Sequence, residues 1–265
     1  METSNTQLNE SAGLDRNNYV AMVAHELRDP LMPIINAAAI LKRLPVDVEL
    51  VLRSAGIIER QARIMNRLID DLLNVSRVQT AKLQLQRSAV TMGEIVEQAL
   101  ESMSPLFKQR GQRLLVTVAP GVMDLHADPL RLGQALRNLL ANAAKFSLPD
   151  KEVLVRAYRE HGEAVVTVAD SGVGIDREEQ EAIFGLFTQA VRTRAPRANG
   201  GLGIGLYLAR HFAEAHGGSL TVSSSGLGEG STFMLRVPCL ESGAGAVEPA
   251  QYSPNKRSVS FLTTS

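Results

Sequence analysis

The sequence has one cysteine, Cys239, no tryptophan and no formal net charge. A lone thiol excludes an intramolecular disulfide and suits a reducing compartment. Aromatic residues make up 4% of the 265 positions, too few for the stacking platforms that bind single-stranded nucleic acid. Lys plus Arg number 28 and Asp plus Glu also number 28, so no global basic field draws the chain to nucleic acid or to an anionic membrane. No apolar run is long enough to span a bilayer, and the stretch from Leu31 to Leu41 is interrupted by Pro33 and Asn36. The opening METSNTQLNESAG has neither the basic start nor the apolar middle of a secretion signal. The expectation is a cytoplasmic chain, or the cytoplasmic part of a larger sensor, with no membrane segment and no nucleic-acid partner.

Apolar residues, by contrast, are 45% of the chain, ample for a core, and the length suits about two domains. Residues 1–16 read as a flexible lead-in. From Asn17 to Arg43 apolar positions recur at helical spacing: Val20, Val23, Leu27, Leu31, Ile34, Ala38 and Leu41. Pro30 and Pro33 are expected to kink this helix, since each removes a backbone donor and crowds the preceding turn. After a break at LPVDVE comes a heptad seam: Val48, Val51, Ala55, Ile58, Ala62, Met65, Ile69 and Leu72. Two helices joined by a short loop form an antiparallel hairpin. One hairpin has little to bury its seam against, so a four-helix bundle built from two copies, a homodimer, completes it.

Past Gln86 the texture changes, which puts the domains at 17–86 and 87–240. TMGEIVEQALESMSPLFKQRG reads as a helix ending near Gly111, and QRLLVTVA as a strand. In DPLRLGQALRNLLANAAKFS, Asp128 is placed to cap a helix and Pro129 to occupy its first turn. EVLVRAYRE and EAVVTVAD form a hairpin about His161 and Gly162, and SLTVSSS and STFMLRVP a last pair of strands. The result is an α+β two-layer sandwich. Residues 241–265 lack periodicity and read as a disordered tail.

Four spaced elements of the second domain suit a nucleotide. Asn138 and Asn142 share a helix face, with Lys145 three residues beyond. Amide oxygens suit a magnesium ion already carrying phosphate oxygens, and the lysine suits the phosphates. DSGVGID follows a strand: Gly172 and Gly174 let the backbone turn tightly, and Asp170 can accept a hydrogen bond from an amino group. In NGGLGIGLYLAR, Gly201, Gly203 and Gly205 open a helix whose exposed amides favour phosphate. No strand immediately precedes it and no Gly-Lys-Ser/Thr follows, which separates it from dinucleotide and Walker loops. GLGEGSTF places Thr232 at the start of a strand. Between the second and third elements, IFGLFTQAVRTRAPRANG has the composition of a flap over a ligand. His126, His161, His211 and His216 have no such context and read as surface or packing residues.

From Asn17 to Leu240 the chain resembles the transmitter core of bacterial sensor histidine kinases. HELRDPL resembles the histidine box and NLLANAAKF the asparagine box; DSGVGI, IFGLF and GGLGIGL resemble the first glycine, phenylalanine and second glycine boxes. The resemblance implies a dimeric bundle followed by an ATP-binding sandwich of the GHKL (Bergerat) type, with ATP and Mg²⁺ as cofactors. It implies His25 as phosphoacceptor and Glu26 as the group that takes or orients the proton on the other ring nitrogen. Asn142 would bind the metal, with Asn138 and Lys145 at metal and phosphates. Asp170 would read the adenine amino group, with Gly172, Gly174 and Thr232 framing the base. Phe184 to Gly200 would be the ATP lid, with Gly201, Gly203, Gly205 and Leu206 at its hinge and the phosphates. The implied partners are a second copy, the receiver domain of a response regulator, and an upstream sensor domain or subunit.

Related ATPases of the gyrase and chaperone kind carry a water-activating glutamate one turn before the metal-binding asparagine. Here Asn138 stands there, and an amide is no general base, so transfer is favoured over hydrolysis. A degenerate scaffold would lack His25, Asn142 or Asp170, and all three are present. Two residues depart from the pattern. Leu202 stands where many members have a small or hydroxyl residue. Asp29 replaces a Thr or Asn that, in the family, orients water when phosphate is removed from the regulator; a carboxylate there is expected to weaken that activity.

Overall fold

A computed structural model describes residues 2–42, 47–120, 123–188 and 202–240, with side chains from residue 20 onward. Two compact units part between Leu83 and Gln84, with the described residues 202–204 grouped with the first. No helix among the described residues is long and apolar enough to cross a membrane.

The first unit is a hairpin of α1 (Glu2–Leu41) and α2 (Val48–Gln79). α1 does not begin at Asn17: the expected flexible lead-in is helical from Glu2, in keeping with a stretch that has no proline and a single glycine and so extends an existing helix cheaply. The helix also runs on through Pro30 and Pro33, which lie inside it. Asp47 caps α2 by accepting the Leu50 amide at 2.6 Å. The side chains buried within the hairpin are not those of the heptad seam. Ser54, Leu68 and Val75 are buried, a line of seven-residue spacing beside the seam, whereas Val48, Val51 and Ile69 stay exposed. One copy therefore covers one stripe of α2 and leaves the neighbouring apolar stripe partly exposed, with Ile58, Ala62, Met65 and Leu72 half-buried.

The second unit begins with β1 (Ser88–Thr91) and α3 (Met92–Gln109), followed by β2 (Arg113–Val118), β3 (Asp124–Ala127) and α4 (Pro129–Phe146). Next come β4 (Glu152–Glu160), β5 (Glu163–Asp170), α5 (Gly205–Ala215), β6 (Ser219–Ser223) and β7 (Ser231–Pro238). β1 and β3 make a two-stranded antiparallel sheet, unforeseen in the sequence. The main sheet has the order β2-β4-β5-β7-β6, with β2 parallel to β4 and the other pairs antiparallel. The β4–β5 turn uses His161 and Gly162 at φ 49° and 83°, the left-handed pair a two-residue hairpin requires.

Strand periodicity of two sorts the sheet into faces. Val153, Val155, Val166, Val168, Phe233 and Leu235 are all at most 3% exposed and form the face that meets the helices. Asp170 continues that face on β5, because it lies two residues beyond Val168. α3 starts with a reciprocal cap, Thr91 Oγ1 accepting the Glu94 amide while Glu94 accepts the Thr91 amide. α4 starts at Asp128, whose Oδ1 accepts the amides of Leu130 and Arg131.

Candidate functional site

β5 ends at Asp170, whose carboxylate is held from two sides. Oδ1 accepts the Gly172 amide at 2.8 Å and Oδ2 accepts the Ser231 hydroxyl at 2.5 Å. Burial pushes this carboxyl above its ordinary pKa, and the bonds from Ser231 and Gly172 oppose the shift by favouring the charged form. Ser231 reaches Asp170 because the two residues are direct cross-strand partners in the β5–β7 ladder. Thr232 pairs with Ala169 on the opposite face, so the hydroxyl the sequence pointed to is directed away from Asp170. Ser231 was missed although the strand's own pattern marks it: it shares parity with the inward Phe233 and Leu235.

The turn after β5 approaches backbone so closely that side chains have no room. A Cβ on Gly172 would lie 2.5 Å from the Phe146 carbonyl oxygen, and the Val173 amide bonds that same oxygen at 3.3 Å. Gly174, at φ +69°, faces the Gly226 carbonyl, where a Cβ would sit at 2.0 Å; Gly228 N–H then bonds Val173 O at 2.7 Å. Gly230, also at φ +69°, lies against the Asp170 carbonyl, with the same 2.0 Å clearance for a Cβ. Backbone thus lines this end of the site.

On α4, Asn138 and Asn142 are half-buried and Lys145 is exposed. The Asn138 amide donates to the Gly205 carbonyl at 2.9 Å, which ties α4 to the first residue of α5. Lys145 Nζ stands 5.1 Å from the Phe146 ring centre. Leu206, half-buried, follows in the first turn of α5. Gly203 adopts φ +68° and Leu202 is buried. Gly201 and residues 189–200 of the expected lid lie outside the described residues. Phe184, at the other end of that segment, is buried with its ring edge-on to Phe233 and Arg210 over its face at 5.0 Å.

These groups fit a nucleotide. A half-buried carboxylate beside a backbone-lined turn can take an amino group, while neutral amides and a lysine on one helix face suit phosphates with a hard cation. In the hairpin, His25 is exposed on α1, its Nδ1 3.7 Å from Asp29 Oδ2, and Glu26 is half-buried on the same turn.

Two family models match the chain in succession. Residues 15–81 match the His Kinase A (phospho-acceptor) domain, and residues 127–241 match the histidine kinase-, DNA gyrase B- and HSP90-like ATPase. The virulence sensor protein BvgS of Bordetella bronchiseptica is 31% identical over 260 residues, 95% of this chain and 21% of that protein. The circadian input-output histidine kinase CikA of Synechococcus elongatus is 32% identical over 235 residues, 87% of this chain and 31% of that protein. The chain therefore spans less than a third of the length of either relative. Among solved structures, full-length ShkA in complex with AMPPNP superposes with a TM-score of 0.64 at 27% identity, over 86% of this chain and 47% of that one. A phospho-acceptor hairpin followed by the ATPase sandwich is the arrangement that defines a transmitter core, and the chain belongs to the sensor histidine kinases.

Proposed function

We propose that the chain phosphorylates its own His25 from ATP and passes the phosphoryl group to an aspartate in the receiver domain of a response regulator. The Asp170–Ser231–Gly172 constellation, in the same unit as the α4 amide face, carries this reading. Asp170 accepts a hydrogen bond from the adenine amino group, and Ser231 fixes its orientation. Asn142 and Lys145 hold the phosphates, Asn142 also being the ligand for Mg²⁺. When bound, the metal neutralises charge on the transferring group.

The nucleophile is a nitrogen of the His25 ring. With Nδ1 turned towards Asp29, Nε2 is the outward nitrogen that attacks the γ-phosphorus. The bond from that phosphorus to the β,γ-bridging oxygen breaks, and ADP leaves with the electron pair. The ring becomes a phosphoimidazolium, and Glu26 takes the proton of Nδ1 once that nitrogen turns from Asp29 towards it. Water is not the acceptor in this site, because Asn138 cannot serve as a base and its amide is bonded to Gly205.

The exposed apolar stripe of the hairpin, with Val48, Val51, Ile69, Leu31 and Ile35, supports a homodimer in which two hairpins form a four-helix bundle. The domains are 17–86 for dimerisation and phosphotransfer and 87–240 for catalysis. A sensor domain or subunit supplies the signal, and the site operates in the cytoplasm. Incubation with γ-labelled ATP and Mg²⁺ tests the reading. Acid-labile, alkali-stable label that disappears in His25→Gln is expected; rapid phosphate release with no protein label overturns it.

A further inference from the structure

His216, one residue past α5, is 5% exposed and takes no part in the proposed reaction. Its two ring nitrogens have fixed roles. Nδ1 lies 2.6 Å from the Phe212 carbonyl oxygen, which can only accept, so Nδ1 carries the proton. Nε2 receives the Asp128 amide at 2.9 Å, and an amide nitrogen can only donate, so Nε2 must keep its lone pair. The ring is neutral and locked in one tautomer.

The charged groups about it are few. The Asp128 carboxylate is occupied by the amides of Gln86, Leu130 and Arg131. The Arg87 guanidinium donates to Ala215 O at 2.8 Å, and the Arg131 guanidinium lies over the Phe212 ring. Burial, with Arg87 adding to it, pushes the His216 pKa below the ordinary histidine value; the Phe212 carbonyl and the Asp128 charge pull the other way.

The bond joins two helices that carry the nucleotide site at their far ends. α4 runs from Asp128 towards Asn138 and Asn142, about 15 and 21 Å further on at 1.5 Å per residue. α5 runs back from His216 to Gly205 over about 16 Å. The helices are thus antiparallel and tied twice: Asp128 to His216 at one end, and Asn138 to Gly205 at the other. With one tie removed, they can slide past each other about the remaining one.

We propose that His216 is a positioning residue for nucleotide binding, holding α4 against α5 through the Asp128 amide, and that it does so only while its ring is neutral. Protonation places an N–H at Nε2 facing the Asp128 N–H. Two donors then meet in a buried space and the tie opens, so that α4 is left to pivot on the Asn138–Gly205 bond and Asn142, one turn beyond that bond, shifts relative to Gly205. The inference rests on the second unit being the ATP-binding unit. The sign follows from linkage: with its pKa lowered on folding, His216 binds its proton less readily in the folded chain. Stability is therefore full above the ordinary value of about 6.5 and falls as pH drops below it, whereas affinity, a property of the folded chain, falls only as pH drops through the lowered value.

The test compares the whole chain with His216→Gln, whose amide oxygen accepts in place of Nε2 and never titrates, and with His216→Ala. Dissociation constants for MgADP are measured by calorimetry from pH 7.5 to 5.5, with thermal unfolding of the nucleotide-free proteins over the same range. Titration of the nucleotide is common to all three and cancels in the ratio. Wild-type chain is expected to lose melting temperature towards acid pH in a way that His216→Gln does not, and its dissociation constant to rise more than that of His216→Gln at the acid end of the range. His216→Ala is expected to bind several-fold more weakly already at pH 7.5. Parallel profiles for wild type and His216→Gln overturn the proposal. Wild-type chain that binds no nucleotide at pH 7.5 overturns the ATP-site reading, and the proposal with it.

Discussion

Replacing Ser231 with alanine isolates the hydroxyl that the strand register brings to Asp170. The carboxylate accepts the Ser231 hydroxyl at 2.5 Å, the Gly172 amide at 2.8 Å and the amide of Ser231 itself. Alanine removes the first and leaves the two amides. A hydrogen bond to a charged group contributes about 1.5–3 kcal/mol when its loss leaves the partner unsatisfied. With two donors remaining and solvent able to reach the half-buried group, about 1–2 kcal/mol is the expected loss, a 5- to 30-fold weakening of nucleotide binding. The free protein should melt a few degrees lower, at about 2–4 °C per kcal/mol for a unit of this size. pH adds a second signature. Burial already raises the Asp170 pKa, and the hydroxyl counters it, so the variant's carboxyl titrates higher still. A carboxyl whose pKa rises on folding binds its proton more tightly in the folded state, and its contribution to stability falls as pH climbs through the folded value. The stability gap between wild type and Ser231→Ala should therefore be widest near neutrality and close as pH falls towards 4. Ser231→Thr keeps the hydroxyl and is expected to bind within about threefold of wild type. Thr232→Ala, on the far face of the sheet, should leave the dissociation constant unchanged. Equal losses for Ser231→Ala and Thr232→Ala, or no loss for Ser231→Ala, refute the assignment of the site to the helix-facing side of β7.

Other substitutions probe separate parts of the chain. Asp29→Thr is expected to speed dephosphorylation of the phosphorylated regulator, since a hydroxyl replaces a carboxylate that repels the phosphoryl group beside His25; an unchanged rate in a reconstituted phosphatase assay discards that role. Gly230→Ala forces a side chain to within 2.0 Å of the Asp170 carbonyl at φ +69°, and a loss above about 2 kcal/mol is expected in denaturant unfolding. The same change at Gly162, where a Cβ meets nothing within 4 Å, should cost less, its positive φ being the only strain.

Local features of the fold were legible because their causes are local. Asp128 and Pro129 announce the start of α4, and the β4–β5 hairpin follows from two strand patterns about a glycine. The β1–β3 pair was not, since four-residue strands joined Ser88 to Ala127 carry no periodic signal and only the ladder reveals them. Thr232 was read as standing at the start of the strand and framing the base, whereas the inward parity of Phe233 points to Ser231. The heptad on α2 marks an apolar stripe but not which neighbour covers it: in the hairpin the adjacent line through Leu68 and Val75 is the buried one. The bond from Asn138 to Gly205 spans 67 residues, a separation at which spacing says nothing.

The crowding at Gly172, Gly174 and Gly230 has a pharmacological consequence. Substitution at any of the three drives a Cβ into main chain, and the chain that results does not keep the turn after β5. A compound resting on these glycines and on the Asp170 carboxylate therefore meets a surface that mutation cannot reshape without dismantling the unit. Resistance would have to arise from side chains at the margin, such as Leu206, and an inhibitor that avoids those contacts leaves few positions to change.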